Sequence, residues 1–438
     1  MGAVRAGGAG AVTRPVPSGR VARGSVMPPP SKSVTHRVAN LALLANRPLA
    51  IERPLAAEDT ELFFGVLEAL GSTVSRQGDR VGITPGVPVR QARLYCGNAG
   101  TLYRFLVASL TTRPGRFQID GSPRLRERPI GRLVDALAAL GAEIRFLDRP
   151  GFAPLEVAGG TLAGGRVRVD AGESSQYLSA LLMAGLAARG PVEIEVGALT
   201  SAPYVELTLE AIRTFGGRVE GPAPGLYRVW PGLAPPATVR VEGDYSAAAY
   251  PAAAAVLTGG EVILTGLDPA SAQGDRAFLE LLARMGAEVE GRPDGFRVAG
   301  RGALEAIEAD LSAMPDQVPT VAALAVFARG TTRIGNVPHL RLKESDRLAA
   351  LATELARVGA TVREEPDGLV IEGVWADVPP PSDPVVVDPW NDHRIAMSLA
   401  LVGLRRPGIS IAHAETVGKS YPGFWADLDR LLGEAPER

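Results

Sequence analysis

The sequence predicts an α/β protein of two lobes, each made of three copies of one small unit. Three observations carry this. A short phrase recurs six times: Leu67-Glu-Ala-Leu-Gly71, Leu137-Ala-Ala-Leu-Gly141, Ile212-Arg-Thr-Phe-Gly216, Leu282-Ala-Arg-Met-Gly286, Leu355-Ala-Arg-Val-Gly359 and, more faintly, Leu428-Asp-Arg-Leu-Leu-Gly433. Its glycines are 70, 75, 70, 73 and 74 residues apart, too long for an ordinary solenoid repeat but right for about two helices and four strands. Strand-like runs alternate with helical stretches along the whole chain, and proline-rich joints at Pro28–Pro30, Pro222–Pro236 and Pro379–Pro384 punctuate it.

Each recurring phrase reads as the end of an amphipathic helix, closed by a glycine free to adopt positive φ. A β-prone stub such as Ala142-Glu-Ile144 or Ala287-Glu-Val289 follows the first five. In chain order, helices are expected at Val38–Ala45, Leu102–Thr111, Gln176–Ala188, Tyr204–Phe215 and Val318–Ala328, with a further apolar run at Ile395–Leu401. Strands are expected at Val167–Val169, Val192–Val196, Val239–Val241 and Val262–Leu264. The joints near Pro30 and Asp244 mark two crossings between lobes. One lobe is expected to be continuous, residues 31–244, and the other to combine residues 1–30 with 245–438.

Composition bounds the function. Of 438 residues, 46% are apolar and 21% charged, ordinary for a protein with real cores. A net charge of −2 argues against general nucleic-acid binding but leaves room for a basic cleft. One cysteine, Cys96, excludes an intrachain disulfide and any cysteine-rich metal site, and four histidines weaken the metal option further. The longest apolar runs, around Tyr177–Ala188 and Ala247–Leu257, are too short to span a membrane. No Asp or Glu precedes Glu52, which faintly suggests a transit peptide, but the first ten residues read instead as a flexible tail on a cytoplasmic protein.

Several strings could carry chemistry. Ser31-Lys-Ser-Val-Thr-His-Arg37 precedes an apolar helix that Ser33 or Thr35 could cap, with Lys32 and Arg37 adding charge. Cys96-Gly-Asn-Ala-Gly-Thr101 is a glycine-bearing turn into a helix, able to bring amides of Asn98, Gly100 and Thr101 close to an anion. Arg124-Leu-Arg-Glu-Arg128 sets three arginines ahead of a helix, where positive charge opposes the dipole unless an anionic ligand resolves it. Glu173-Ser-Ser-Gln176 and Ser201-Ala-Pro-Tyr204 supply polar groups at two more helix starts, and simple capping explains both equally well. In the second half, Met314-Pro-Asp316, Arg341–Arg347, Asn391-Asp-His-Arg394 and Lys419 complete the set. Together they describe a cleft gripping at least two anionic groups, with Asp316 and Glu344 available for proton transfer.

These strings, in this order and on six such units, resemble the 5-enolpyruvylshikimate-3-phosphate synthase branch of the enolpyruvyl transferases. The likeness runs from about Val12 to Leu432 and includes Ser31-Lys-Ser33, Gly97-Asn-Ala-Gly-Thr101, Arg126-Glu-Arg-Pro-Ile-Gly131, Ser174–Met183, Lys343-Glu-Ser-Asp-Arg347 and Asn391–Arg394. The resemblance implies an inside-out α/β barrel in each lobe. It implies transfer of the enolpyruvyl group of phosphoenolpyruvate to the 5-hydroxyl of shikimate 3-phosphate, without metal or organic cofactor, by a glyphosate target; a monomer is expected because no exposed coiled-coil seam in the sequence argues for assembly. It implies that Lys32, Ser33, Arg37, Ser174, Ser175, Gln176, Ser201, Asp316 and Lys343 hold shikimate 3-phosphate. Phosphoenolpyruvate would meet Lys32, Gly100, Arg128, Gln176, Arg347, Arg394 and Lys419. Asp316 would be the base at the hydroxyl and Glu344 the acid at the enol carbon, with Lys32 beside them.

Some positions depart from the family's usual pattern. Pro30 stands where glycine is usual, stiffening that joint, and His339 stands where an asparagine often meets the substrate phosphate, a weaker site assignment. The sister transferase acting on UDP-N-acetylglucosamine shares the architecture, but normally carries Asn after its N-terminal lysine and a cysteine in a mobile glycine-rich loop. Here Ser33 follows Lys32, and Cys96 reads as a buried structural thiol. A catalytically dead, anion-binding homologue would be expected to have lost Asp316, Glu344 or the arginines.

Overall fold

The computed structural model describes residues 12–223 and 225–433. The expected N-terminal tail lies outside the described residues. Twelve α-helices are present among them: α1 (Lys32–Ala45), α2 (Glu58–Ala69), α3 (Gly100–Leu110), α4 (Gly131–Ala139), α5 (Gln176–Gly185), α6 (Pro203–Thr214), α7 (Tyr245–Thr258), α8 (Phe278–Arg284), α9 (Val318–Ala325), α10 (Arg347–Arg357), α11 (His393–Gly403) and α12 (Phe424–Leu432). The even-numbered ones end in the recurring phrase, and all six repeat glycines adopt positive φ, from 66° at Gly216 to 100° at Gly286. That conformation lets the chain turn out of the helix and straight into a strand.

One unit shows the plan. Gln91–Tyr95 leads through α3 to the parallel strand Gly115–Asp120, then through α4 to the hairpin Glu143–Phe146 and Leu155–Gly159, which adds antiparallel. A parallel pair needs a crossover, so a helix must sit between its strands, whereas the hairpin needs only a turn. Residues 165–230 and 308–372 repeat the plan. The other three units borrow strands. Thr238–Arg240 returns to lie parallel to Leu49–Glu52 of the first unit. The N-terminal strand Arg23–Val26 lies parallel to Glu261–Thr265 of the fourth. In the sixth, Arg14–Pro15 pairs antiparallel with Ile409–Ile411 in place of a hairpin.

The buried apolar side chains form two separate cores. One draws on residues between Val38 and Val241; the other joins Val16, Ala22 and Val26 to residues between Tyr245 and Leu432. The apolar runs singled out in the sequence are helices α5 and α7. Each is buried along nearly all of its length, which explains why neither shows a polar face. Among the described residues no helix is long and apolar enough to cross a membrane. Cys96 is fully buried, and burial pushes its thiol well up.

Two details differ from expectation. Helix α1 begins at Lys32 rather than Val38, and its cap is Ser31, whose hydroxyl accepts from the Val34 amide at 3.4 Å, not Ser33 or Thr35. Lys32 to Arg37 are therefore the first turns of the helix, because nothing in them opposes helical φ/ψ and Pro30 ends the extended segment before them. Arg128, which beside Pro129 reads from sequence as the first turn of a helix, is not in a helical turn: Leu125–Glu127 form a single 3₁₀ turn, Arg128 is extended and α4 starts at Gly131.

The two crossings lie side by side. The Ser31 amide donates to Glu242 O at 2.8 Å, the Asp244 amide donates to Pro29 O at 2.9 Å, and Pro30 faces Gly243. The Asp244 carboxylate caps two helices at once, accepting the Lys32 amide at 3.0 Å and the Ala247 amide at 3.1 Å, where helix dipoles favour a negative charge. Asp244→Ala is expected to cost about 1–2 kcal/mol in urea unfolding, with Asp244→Asn recovering most of it because the amide oxygen still accepts.

Candidate active site

The cleft between the two cores is lined by the N-terminal ends of helices. From one side come Lys32 and Ser33 of α1, Thr101 of α3, Ser174 to Gln176 at α5, and Thr200, Ser201 and Tyr204 at α6. From the other come Asp316 ahead of α9, Lys343 and Glu344 ahead of α10, Arg347 at its first residue and Arg394 in the first turn of α11. Free amides and the positive ends of helix dipoles therefore face a common space. Six basic side chains line it against two carboxylates.

The centre of the far wall is Arg347, 1% exposed. Its Nε donates to Asp392 Oδ2 at 2.8 Å, Nη1 to Asp316 Oδ1 at 2.8 Å, and Nη2 to Glu344 Oε2 at 3.1 Å and Asp392 Oδ1 at 3.3 Å. Burial alone would make this guanidinium easier to deprotonate, but Asp392, Glu344 and Asp316 push it well above its ordinary value. Asp392, itself fully buried, also accepts from Ser345 and caps α11 through the Arg394 amide at 2.9 Å.

Asp316 sits between two arginines, with Arg394 Nη2 at 2.7 Å from its other oxygen. Burial favours the neutral acid, yet Arg394, Arg347 and Lys343 outweigh it and hold the carboxyl far below the usual range. Glu344 follows the same logic: burial is overcome by Arg128, which reaches across the cleft to 3.7 Å, and by Arg347, Lys419 and Lys32. Burial, set against the attraction of Asp316, lowers Lys343 to about 8. On the near wall Lys32 Nζ lies 3.2 Å from Asp59, and Lys419 Nζ approaches the same carboxylate at 3.3 Å while donating to Asn98 O at 3.2 Å. Burial of Asp59 is outweighed by these two lysines, so it too stays ionised.

The expected site residues are thus brought to one place, with differences of depth. Thirteen of them, from Lys32 to Arg394, are on the cleft wall; Gly100 and Lys419 stand behind it. A Cβ on Gly100 would fall 2.5 Å from the Arg128 guanidinium, so glycine is what lets that arginine lie flat on the start of α3. Arg37 is turned largely inward: Nε donates to Thr208, Nη1 to Ser33 O and Nη2 to Tyr204 O, bracing α1 against α6 and leaving two N–H donors spare. Gln176 is held by both ends, accepting from Arg104 at 2.7 Å and donating to Thr101 at 2.9 Å. His339 is buried beside Thr200 and Ser201, at 3.3 and 3.4 Å, and burial with Lys343 lowers it to about 3, so it is neutral at any working pH. Among the described residues no three His, Cys, Asp or Glu side chains gather where they could hold a metal ion.

Sequence reasoning missed Asp59, Asp392 as the partner of Arg347, Thr200 on the wall, and Tyr204 as more than a helix start; it named Thr101 for its amide and not for the hydroxyl that accepts from Gln176. Asp59 follows Glu58 in an acidic first turn and looks like any solvated helix start. Its burial against two lysines depends on the approach of Lys419, 360 positions later.

A sequence model of the family described as EPSP synthase (3-phosphoshikimate 1-carboxyvinyltransferase) matches residues 17–428. The chain belongs to this family. The 3-phosphoshikimate 1-carboxyvinyltransferase of Syntrophobacter fumaroxidans is 44% identical over 419 residues, covering 92% of this chain and 96% of that one. That of Methanoculleus marisnigri is 41% identical over 412 residues, covering 93% and 95%. The solved EPSP synthase from Acinetobacter baumannii superposes with a TM-score of 0.79 at 27% identity, covering 96% of this chain and 98% of that one. The enolpyruvyl transferase NikO from Streptomyces tendae, at 20% identity and a TM-score of 0.77 over 96% and 97% of the two chains, shares the fold. The two-lobed inside-out α/β architecture expected from the repeats is that of these EPSP synthase and enolpyruvyl transferase structures.

Asp392→Ala would leave Arg347 buried with its best partner gone. It is expected to destabilise the protein by about 3–5 kcal/mol, read as a lowered urea midpoint, while a solvent-exposed pair such as Arg218 with Glu220 can be broken for under about 1 kcal/mol.

Proposed function

We propose that this protein transfers the enolpyruvyl group of phosphoenolpyruvate to the 5-hydroxyl of shikimate 3-phosphate and releases phosphate. The observation that carries the proposal is a cleft with six basic side chains and two ionised carboxylates, one on each side of Arg347, in a chain of the EPSP synthase family. Both substrates are phosphorylated carboxylic acids, and arginine forks with lysine point charges suit them. Phosphoenolpyruvate is assigned to Lys32, Arg128, Arg347, Arg394 and Gln176, with Lys419 and Gly100 supporting from behind. Shikimate 3-phosphate is assigned to the serines at α5 and α6, with Ser33, Arg37, Gln176 and Lys343. The same proposal has the protein working as a cytoplasmic monomer on these two small molecules.

In the first half of the reaction Asp316 takes the hydroxyl proton as the hydroxyl oxygen bonds to C2 of phosphoenolpyruvate, and Glu344 gives a proton to C3. In the second, the C3 methyl gives a proton back to Glu344 as the C2–O bond to phosphate breaks, and the departing phosphate carries off the proton taken by Asp316. The cations stabilise the phosphate that departs, in a site walled off from water. Glu344 is held ionised by Arg128 and Arg347. A phosphate and a carboxylate bound to those same guanidiniums would offset their charge, and this allows Glu344 to carry the proton it must donate.

The test is phosphate release with both substrates and no added metal. Release that requires both, and falls about 10²–10⁴-fold in Asp316→Asn and in Glu344→Gln, is the expected result. Turnover with UDP-N-acetylglucosamine in place of shikimate 3-phosphate would assign the sister reaction, and ligand binding without turnover would mean a dead homologue. Gly100→Ala pushes on the Arg128 guanidinium and is expected to raise KM for phosphoenolpyruvate about tenfold or more, leaving KM for shikimate 3-phosphate nearly unchanged.

A further inference from the structure

Asp316 poses a chemical problem as a base. A carboxylate gripped by two arginines holds a proton poorly, and an alcohol does not give one up easily. Behind it stands a group that nothing in the reaction so far employs. The Tyr204 hydroxyl lies 3.1 Å from Asp316 Oδ2 and, on its other side, 3.1 Å from Asp275 Oδ2. Asp275 sits on the 3₁₀ turn Gly274–Ala277, 3% exposed, and its remaining oxygen accepts from Gln317 Nε2 at 2.8 Å. Among the described residues no arginine or lysine forms an ion pair with it, its hydrogen-bond partners being Tyr204 and Gln317. One phenol O–H thus bridges two carboxylates of opposite character, the first clamped by cations and the second not.

We propose that Tyr204 and Asp275 form a proton relay behind Asp316, moving the proton taken from the acceptor hydroxyl on to a buried carboxylate. This rests on Asp316 being the base. In the step, the Asp316 O–H bond breaks as its proton passes to Tyr204 Oη, while the Tyr204 O–H proton passes to Asp275 Oδ2. Asp316 regains its negative charge and Asp275 loses its own. The reverse hop returns the proton to the cleft as phosphate departs. No electron is exchanged, and Tyr204 ends as it began. Asp275 is a positioning residue that acts through Tyr204 without reaching the substrate.

The direction of the hop follows from the surroundings. Burial, with the negative charge of Asp316 next, pushes Asp275 up to about 6, partly offset by Arg394 and by Gln317 and reinforced by Asp244. Those groups bias it most strongly, and Tyr204 donates to it. A proton therefore lies far more comfortably on Asp275 than on Asp316, and Asp275 is still ionised near neutral pH, ready to accept. The phenol itself is kept protonated, burial and both carboxylates pushing it well up. The relay also joins the two cores: α6 packs into the core of residues 38–241, whereas Asp275 and Asp316 lie on segments that pack into the other. A Cβ on Gly274 would stand 2.7 Å from Pro203 Cβ, so the glycine beside Asp275 is what lets the start of α6 approach this closely.

Asp275→Asn tests the relay cleanly. Asparagine keeps the acceptor for Gln317 and can donate to the Tyr204 oxygen, so it imitates protonated Asp275 but cannot accept a proton. Expected are a melting temperature like that of the wild type, a kcat about ten- to a hundredfold lower, and KM values for both substrates within about threefold. The wild type should lose kcat as pH falls through about 6, where Asp275 fills with a proton, and Asp275→Asn should lack that limb. Tyr204→Phe should lower kcat similarly, and the double variant should be no worse than either single one. Wild-type kcat in Asp275→Asn, a limb that survives in it, an effect confined to KM, or single losses that multiply would each overturn the relay. Asp316→Asn separates this from the reading beneath it: full activity there removes the base assignment and the relay together. An inactive Asp316→Asn beside an unimpaired Asp275→Asn removes the relay alone.

Discussion

A single buried guanidinium organises one wall of the cleft. Arg347 cannot be left unpaired in the interior, and the three carboxylates that satisfy it come from three different places: Asp316 ahead of α9, Glu344 ahead of α10 and Asp392 at the cap of α11. Each of those loops is therefore located by the same charge. Replacing such a cluster with apolar side chains of like volume would serve stability as well or better, so its presence speaks for function. It gives two carboxylates fixed positions on one cation, with Arg394 and Arg128 completing their surroundings from either side.

The repeated unit explains why so many helix starts face the cleft. In a strand–helix–strand–helix–hairpin unit, the loop before each helix falls at one end of the sheet. Copies of the unit turn those ends toward a shared space. Ser31, Gly100, Ser175, Ala202, Asp346 and Asp392 all sit at or beside such starts. The chemistry differs from one start to the next because the residues there are free to vary without disturbing the strands and helices that hold them.

Much of this was legible in the sequence, and the reason is periodicity. The six glycine phrases announce helix ends, and the even spacing announces the unit. The strings ahead of Lys32, Gln176, Glu344 and Arg394 stand out because polar, charged runs interrupt otherwise apolar text. What was not legible depends on distance in the chain. Asp59 resembles a solvated acid until Lys419 arrives beside it, Asp275 resembles a turn residue until Tyr204 bridges it to Asp316, and Arg37 resembles a ligand-binding charge although most of its donors are spent on Ser33, Tyr204 and Thr208. The misplaced start of α1 has a local cause: Ser31, Ser33 and Thr35 are equally good caps by composition, and only the crossing at Pro30 decides among them.

The borrowed strands carry a consequence for how the molecule is made. The sheets around the core of residues 38–241 can be completed once Thr238–Arg240 has emerged from the ribosome, since it is the last strand they use. The segment ahead of it has no such fortune. Arg23–Val26 must wait for Glu261–Thr265, and Arg14–Pro15 for Ile409–Ile411. These two strands thus precede their partners by more than two hundred residues, and the whole of the other core lies between them. Throughout that interval both strands keep unpaired edges, open to pairing with the wrong partner until the right one arrives.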